Sequence, residues 1–282
     1  MKIINKKGNV QTFIGCTAAY DEAEIVIFGA GYDGTTSYRP GSRFAPAAIR
    51  AESWGIESYS PYLQKGLDEI KVYDAGDLEL VGRRAEVVLD MVEEATAEIV
   101  RDGKIPLMLG GEHLVTLGAV RALHNLQIKQ HPDLHIIHFD AHADLRDEYM
   151  GEKLSHATVM RRCYDLVGYG KIFQIGIRSG NRDEFAFKMA HMAQTLDGFM
   201  GKPVYFSLDL DVLDPSILPG TGTPEAGGMS FLELLNDIVH LKNFNIVGCD
   251  IVELAPNYDP SGVSTATACK ILRELLLTIG GK

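Results

Sequence analysis

The 282-residue sequence predicts an α/β protein in which a mainly parallel central sheet is covered by helices on both faces. Three observations lead there. Short apolar runs rich in β-branched residues alternate with longer amphipathic stretches along nearly the whole chain. Those runs are continuous rather than alternating, as strands buried on both faces require. No linker, low-complexity tract or internal repeat breaks the rhythm, so a single domain over residues 1–282 is expected.

The elements follow in order. Residues 24–29 and 71–75 read as the first two strands. The Glu-rich stretch 80–101 repeats apolar residues at three- and four-residue spacing and reads as a helix. Strand 105–109 leads into helix 114–125, strand 134–140 precedes helix 156–167, and strand 171–177 precedes helix 182–197. Strand 203–208 is followed by helix 230–240, opened by a capping box of Ser230 and Glu233. Strand 245–250 leads to the last helix, 264–279. The segment Gly29-Ala-Gly31-Tyr-Asp-Gly34 matches a dinucleotide-binding pattern, with Glu52 at a suggestive distance. That motif needs a helix opening on the glycines, and Pro40, Gly41 and Pro46 forbid one there. The segment reads instead as a loop at the rim of a site.

Composition narrows the function. With 27 basic against 38 acidic residues the net charge is −11, which argues against a nucleic-acid or anionic-membrane surface and favours a cationic small molecule. Cys16, Cys163, Cys249 and Cys269 show no C-x-x-C spacing, so reduced thiols are expected. Residues 1–10 lack an apolar stretch behind their basic residues, and no run approaches the ~20 apolar residues of a membrane span. A cytoplasmic location is expected.

The chemistry gathers at the ends of predicted strands, where ligands of parallel sheets bind. Asp140-Ala-His142-Ala-Asp144 closes one apolar run, and Asp209-Leu-Asp211 closes another. In an extended chain successive side chains alternate faces, so Asp140, His142 and Asp144 would project together, as would Asp209 and Asp211. Four crowded carboxylates repel one another, and a cation is expected among them. Gly110-Gly-Glu-His113 turns tightly after strand 105–109 and can bring His113 across. His113, Asp140, His142, Asp144, Asp209 and Asp211 make six ligands, enough for two divalent ions if a carboxylate from each cluster bridges. Asp214, before Pro215, reads as a turn residue. His124, His131, His135, His138, His191 and His240 default to structural or surface roles, His138 as a packed, hydrogen-bonded side chain.

These motifs, with Ser207-Leu-Asp209-Leu-Asp211-Val-Leu-Asp-Pro215, Gly220-Thr-Gly-Thr-Pro224 and Glu253-Leu-Ala-Pro256, resemble the ureohydrolases, the arginase and agmatinase family, over nearly the whole chain. The resemblance implies a three-layer α/β/α arginase-like fold, two Mn2+ ions, hydrolysis of a guanidinium to urea and an amine, and homo-trimers or homo-hexamers. It implies that His113, Asp140, Asp144 and Asp209 hold one ion and Asp140, His142, Asp209 and Asp211 the other. A water shared by ions ~3.5 Å apart would supply hydroxide near neutral pH, with Asp144 accepting its hydrogen bond. Glu253 matches the guanidinium-binding glutamate, and His156, in Leu-Ser-His156-Ala-Thr, the histidine that passes a proton to the departing amine. Gly31 stands where many relatives have proline.

Arginases carry an asparagine- and serine-bearing segment after the first aspartate motif, and residues 145–155 lack it. Asp147, Glu148 and Glu152 instead suggest an acidic wall for a cationic tail, and Gly151-Glu-Lys-Leu-Ser-His156 is similar to agmatinases. Agmatine, giving putrescine and urea, is the expected substrate. Guanidinobutyrate, guanidinopropionate, formiminoglutamate or arginine are the alternatives, for which Arg43, Arg146 or Lys153 would meet an anionic tail. A non-catalytic metal-binding subunit is opposed by the joint presence of all ligands, His156 and Glu253. A two-metal phosphoesterase is opposed by the acidic loop. Cobalt, nickel, iron or zinc would also suit the ligands.

Overall fold

The computed structural model describes residues 3–127 and 133–281, so His131 lies outside the described residues. Among the described residues nine strands are present: β1 Ile25–Ala30, β2 Tyr59–Ser60, β3 Lys65–Gly66, β4 Val72–Asp77, β5 Ile105–Gly110, β6 His135–Phe139, β7 Ile172–Ile175, β8 Pro203–Asp209 and β9 Asn245–Val252. Seven form one sheet in the order β4-β1-β5-β9-β8-β6-β7, every pair parallel. Strands β2 and β3 form a separate antiparallel ribbon of two residues each, too short to leave a pattern in the sequence.

The helices are α1 Ala45–Glu52, α2 Ala85–Arg101, α3 Thr116–Gln127, α4 Val159–Val167, α5 Arg182–His191, α6 Phe231–His240 and α7 Val263–Ile279. Side chains of β1 and β8 alternate between two cores. Ile25, Ile27, Val204, Phe206 and Leu208 face one that includes Ile49 of α1, Leu234 of α6 and Leu272 and Leu276 of α7. Val26, Phe28 and Tyr205 face the other, with Val88 and Val92 of α2, Val120 of α3 and Met160 of α4. Helices therefore cover both faces, which explains why the strands read as unbroken apolar runs. Among the described residues no helix is long and apolar enough to cross a membrane.

Three expectations need correction. Helix 80–101 begins only at Ala85, because Gly82 turns through a positive φ of 71°. Helix 182–197 stops at His191, and Met192 is already extended at φ −82°, ψ 156°. Helix α1 was not foreseen: Pro46 sits in its first turn, where a missing N–H removes no helical hydrogen bond. No α-helix opens on Gly29–Gly34, and residues 31–41 run as a loop against the end of β5, followed by a 3-10 turn over Ser42–Phe44. A Cβ on Gly111 would collide with the Tyr32 carbonyl, so the second glycine of the Gly-Gly pair is set by this close approach.

Candidate active site

The C-terminal ends of four adjacent strands, β5, β9, β8 and β6, carry His113, Glu253, Asp209 with Asp211, and Asp140 with His142 and Asp144. His113 lies in a single 3-10 turn before α3, its Nδ1 3.0 Å from Asp140 Oδ2, 3.3 Å from Asp209 Oδ2 and 3.5 Å from Asp144 Oδ2. His142 Nδ1 lies 2.9 Å from Asp211 Oδ2 and 3.5 Å from Asp140 Oδ1. All six side chains converge.

They do not converge by strand alternation. β6 ends at Phe139, and the Asp140 carboxylate folds back to accept the His142 N–H. Asp144 takes a left-handed φ of 52°. On the other strand, Asp211 sits in a 3-10 turn and donates its N–H to Asp209 Oδ1 at 2.8 Å, while Ala141 N–H reaches Asp211 Oδ1 at 3.0 Å. Turn geometry beyond the strand tips replaces the extended parity expected from sequence.

Behind the cluster lies a polar layer. Gln174 Nε2 must carry protons, since it meets the Ala143 carbonyl at 2.8 Å; it therefore donates to His138 Nδ1 at 3.0 Å. That leaves the His138 proton on Nε2, pointed at Asp140 Oδ2 2.9 Å away. His138 is thus a buried donor that orients Asp140. On the other side His113 Nε2 meets Ser207 Oγ at 2.9 Å, and Ser207, Thr116 and Tyr205 all donate to the buried Asp250. The Arg178 guanidinium donates to the carbonyls of Asp211 at 2.7 Å and Glu225 at 2.8 Å, and more weakly to Gly176, Val212 and Leu213. Gln174, Arg178 and Asp250 gave no sequence signal, and Ser207, although part of a family motif, gave none for this role, because their partners are brought together only by the sheet. Asp214 accepts from Ser216, Gly227 and Gly228 and holds a turn. His124, His135, His191 and His240 contact none of the six.

The electrostatics describe a cluster short of positive charge. Burial, reinforced by Asp211 and Asp140, pushes Asp209 well above the carboxylate range. Burial with the Asp140 charge does the same to Asp144. Burial disfavours charge on Asp140 too, but the imidazoles of His113, His138 and His142 beside it hold it well below. Against the same desolvation, Asp140 and Asp209 raise His113, and Asp211 and Asp140 raise His142. Protons are drawn in to balance carboxylates, and a divalent ion would displace them. His113 Nδ1 and Asp211 Oδ2 are buried and make no well-aligned hydrogen bond, although Asp140 Oδ2 and His142 Nδ1 lie 3.0 and 2.9 Å from them. Orphaned atoms of these types in an oxygen-rich, imidazole-bearing set fit hard or borderline divalent cations.

The cluster opens into a cavity of about 250 Å³ whose lining includes Asp144, Glu253, His156, Arg146, Glu184 and Asn181. Glu253 has a left-handed φ of 63° and accepts the His113 N–H at 2.7 Å; burial and the nearby Glu112 push its pKa up to about 8. His156 opens a 3-10 turn before α4, its ring between Ser37 Oγ and Ser155 Oγ, each 3.3 Å away. Burial first, then surrounding cations, lowers its pKa to about 4, so it rests neutral.

The acidic wall is not where the sequence suggested. Asp147 is exposed and paired with Arg162 at 2.6 Å, and neither it, Glu148 nor Glu152 lines this cavity. The carboxylate there is Glu184, 4% exposed, which faces Arg146 Nε at 3.2 Å and closes a capping box with Asn181. Arg43 pairs with Asp33, and Lys153 does not reach the cavity.

Residues 23–278 match the model of the arginase family. The chain is 46% identical over 281 residues to the agmatinase of Bacillus anthracis, spanning 95% of this chain and 96% of that protein. It is 33% identical to the guanidinobutyrase of Pseudomonas aeruginosa, over 94% of this chain and 89% of that one. The crystal structure of the agmatine ureohydrolase of Thermoplasma volcanium superposes with a TM-score of 0.85 at 36% identity, covering 97% of this chain and 95% of the other.

Proposed function

From the premise that this chain belongs to the arginase family and is a ureohydrolase, a hydrolase acting on amidino groups, we propose that it hydrolyses agmatine to putrescine and urea. The observation that carries the proposal is the pair of orphaned buried atoms, His113 Nδ1 and Asp211 Oδ2, inside a four-carboxylate cluster that shares its cavity with Glu253.

In this reading His113, Asp140, Asp144 and Asp209 would hold one Mn2+ ion, and Asp140, His142, Asp209 and Asp211 a second. Ions held there would supply, near neutral pH, hydroxide in place of water as the nucleophile. The chain does the rest. Glu253 offers a carboxylate to the planar guanidinium, a pairing that suits two parallel hydrogen bonds and stabilises the ionised form of its raised carboxyl. Asp144 accepts a proton and His156, neutral at rest, relays it to the departing amine. At the other end of the cavity Glu184 and Asn181 face the tail of the substrate. A primary ammonium would find its partner there in Glu184, whose carboxylate it would share with Arg146 Nε.

Arg146 also supports a second reading, a guanidino acid whose carboxylate would compete with Glu184, and the 33% identical guanidinobutyrase supports it as well. A urea-release assay across agmatine, guanidinobutyrate, arginine and formiminoglutamate with manganese decides. Turnover highest with agmatine is expected; turnover highest with guanidinobutyrate would transfer the assignment. We further propose one 1–282 domain acting in the cytoplasm as a homo-trimer or homo-hexamer, for which light scattering is the test.

A further inference from the structure

Glu112 is wholly buried at the tip of β5 yet sits outside the cluster of six, and its surroundings give it a use. Its carboxylate accepts the Thr35 N–H on both oxygens, at 3.2 and 3.0 Å, the Thr35 hydroxyl at 2.6 Å and the Thr36 hydroxyl at 3.0 Å. A buried carboxyl is costly unless its oxygens are satisfied, and here the rim loop satisfies them. The consequence lies one bond further on. A hydroxyl has a single proton. Because Thr35 directs its proton to Glu112, the same oxygen is left to accept, and it accepts the His156 N–H at 3.1 Å. Two residues along, Ser37 Oγ meets the His156 ring at Nε2. The loop itself is tied down by Glu112 N–H to Tyr32 O at 2.7 Å and Gly41 N–H to Asp33 Oδ2 at 2.8 Å.

We propose that Glu112 and Thr35 are positioning residues: a carboxylate–hydroxyl relay from the β5 tip that sets the backbone and ring of His156 in the cavity. The inference rests on the reading of His156 as the group that passes a proton to the departing amine. It makes the segment 32–37 part of the proton-delivery apparatus rather than a passive rim. It also explains why the residue before His113 is a carboxylate: only an acceptor with two oxygens can take both the N–H and the hydroxyl of Thr35 together with the hydroxyl of Thr36.

The test uses the manganese-loaded enzyme and agmatine. Thr35→Val keeps the branched shape and removes the oxygen; kcat should fall ~10-fold or more while KM stays within ~3-fold, since an orienting loss touches the proton-transfer step, itself worth 10²–10⁴ in rate. Thr35→Ser should restore most of kcat. In a His156→Ala background, Thr35→Val should add no further loss, because residues acting through one group are non-additive. Bound manganese, measured in parallel, should match the parent in the Thr35 variants, while the thermal midpoint of Thr35→Val should fall because a buried Glu112 oxygen loses its donor, and that of Thr35→Ser should stay near the parent. An equal fold-loss from Thr35→Val with and without His156 would overturn the relay, as would a parental kcat for Thr35→Val alone. A parental kcat for His156→Ala would instead overturn the assignment of His156, and the relay with it. Should Thr35→Val not accumulate as folded protein, Glu112→Gln taken through the same cycle decides by the same criteria.

Discussion

Arg178 offers the most direct measure of how far the cluster depends on its supports. Its guanidinium donates to the carbonyls of Asp211 at 2.7 Å and Glu225 at 2.8 Å, with four longer contacts between 3.2 and 3.3 Å. A hydrogen bond from a charged donor contributes about 1.5–3 kcal/mol net. Arg178 is partly exposed, so the low end applies to the two short bonds, and the long ones, forked over shared N–H groups, add little. Arg178→Met retains the apolar stem and removes the fork, and should therefore destabilise the metal-free protein by about 3 kcal/mol. For a chain of this size that is a fall of about 6–10 °C in thermal midpoint. The carbonyl of Asp211 is released by the same change, so manganese affinity should weaken ~10- to 100-fold, the usual effect of removing a support behind a ligand. Thermal unfolding in chelator and manganese titration by calorimetry measure the two. A midpoint shift below ~2 °C with unaltered manganese binding would refute the idea that Arg178 clamps the 211–213 turn.

Four further outcomes are expected. Asp140→Ala and Asp209→Ala should each abolish urea release and lower bound manganese by elemental analysis; turnover surviving both would remove the metal mechanism. Glu253→Gln should reduce kcat/KM at least ~100-fold for every guanidino substrate, because a neutral amide cannot pair with the cation, and an unchanged value would end its assigned role. Glu184→Gln should shift the ratio of agmatine to guanidinobutyrate turnover ~10-fold toward the acid by releasing Arg146 from its partner; an unmoved ratio places the tail elsewhere. Finally, burial raises Glu112 to about 7 and Glu253 to about 8, above their unfolded range. The folded, metal-free protein thus holds extra protons, its stability is fully present below the unfolded carboxyl range, and it declines as pH rises through 7–8. Differential scanning fluorimetry in chelator from pH 6 to 9 should show that decline, shallower in Glu253→Gln, and a flat parental profile would contradict it.

Much of this was legible before the structure, for a physical reason. Val204, Tyr205, Phe206, Ser207 and Leu208 are all fully buried, because both faces of β8 are covered, so the strand announces itself as an apolar run. All seven strands of the main sheet were placed within about two residues on that signal. Local chemistry was harder to read where one residue serves two purposes. Glu184 is the third residue of a capping box on Asn181, yet the same carboxyl faces the cavity. Asp147 and Glu152 have the charge expected of a site wall, but charge in a sequence carries no direction, and Asp147 turns out to Arg162. Pro46 signals a break in a helix interior and is harmless in a first turn, which is how α1 escaped notice.

The deeper lesson concerns how the six side chains meet. Alternation along a strand would have aimed Asp140, His142 and Asp144 in one direction, yet none of the three belongs to β6. A sheet delivers its strand tips ~4.8 Å apart, but it does not bring two histidines and four carboxylates within contact of one another. The turns do that, and two of them use backbone that L-residues avoid: Asp144 at φ 52° and Glu253 at φ 63°. Each such residue costs on the order of 1–2 kcal/mol and persists only where its surroundings hold it. Here the Arg161 N–H holds the Asp144 carbonyl at 3.1 Å, and the Gly111 carbonyl accepts the Glu253 N–H at 2.9 Å. The second of these anchors belongs to the same Gly-Gly pair that makes room for the rim loop and hence for the Glu112–Thr35 contact. One tight turn after β5 therefore sets His113, fixes the strained Glu253 and seats the loop that touches His156. A substitution at Gly111 should disturb all three together, even though that residue contributes no side chain to the chemistry.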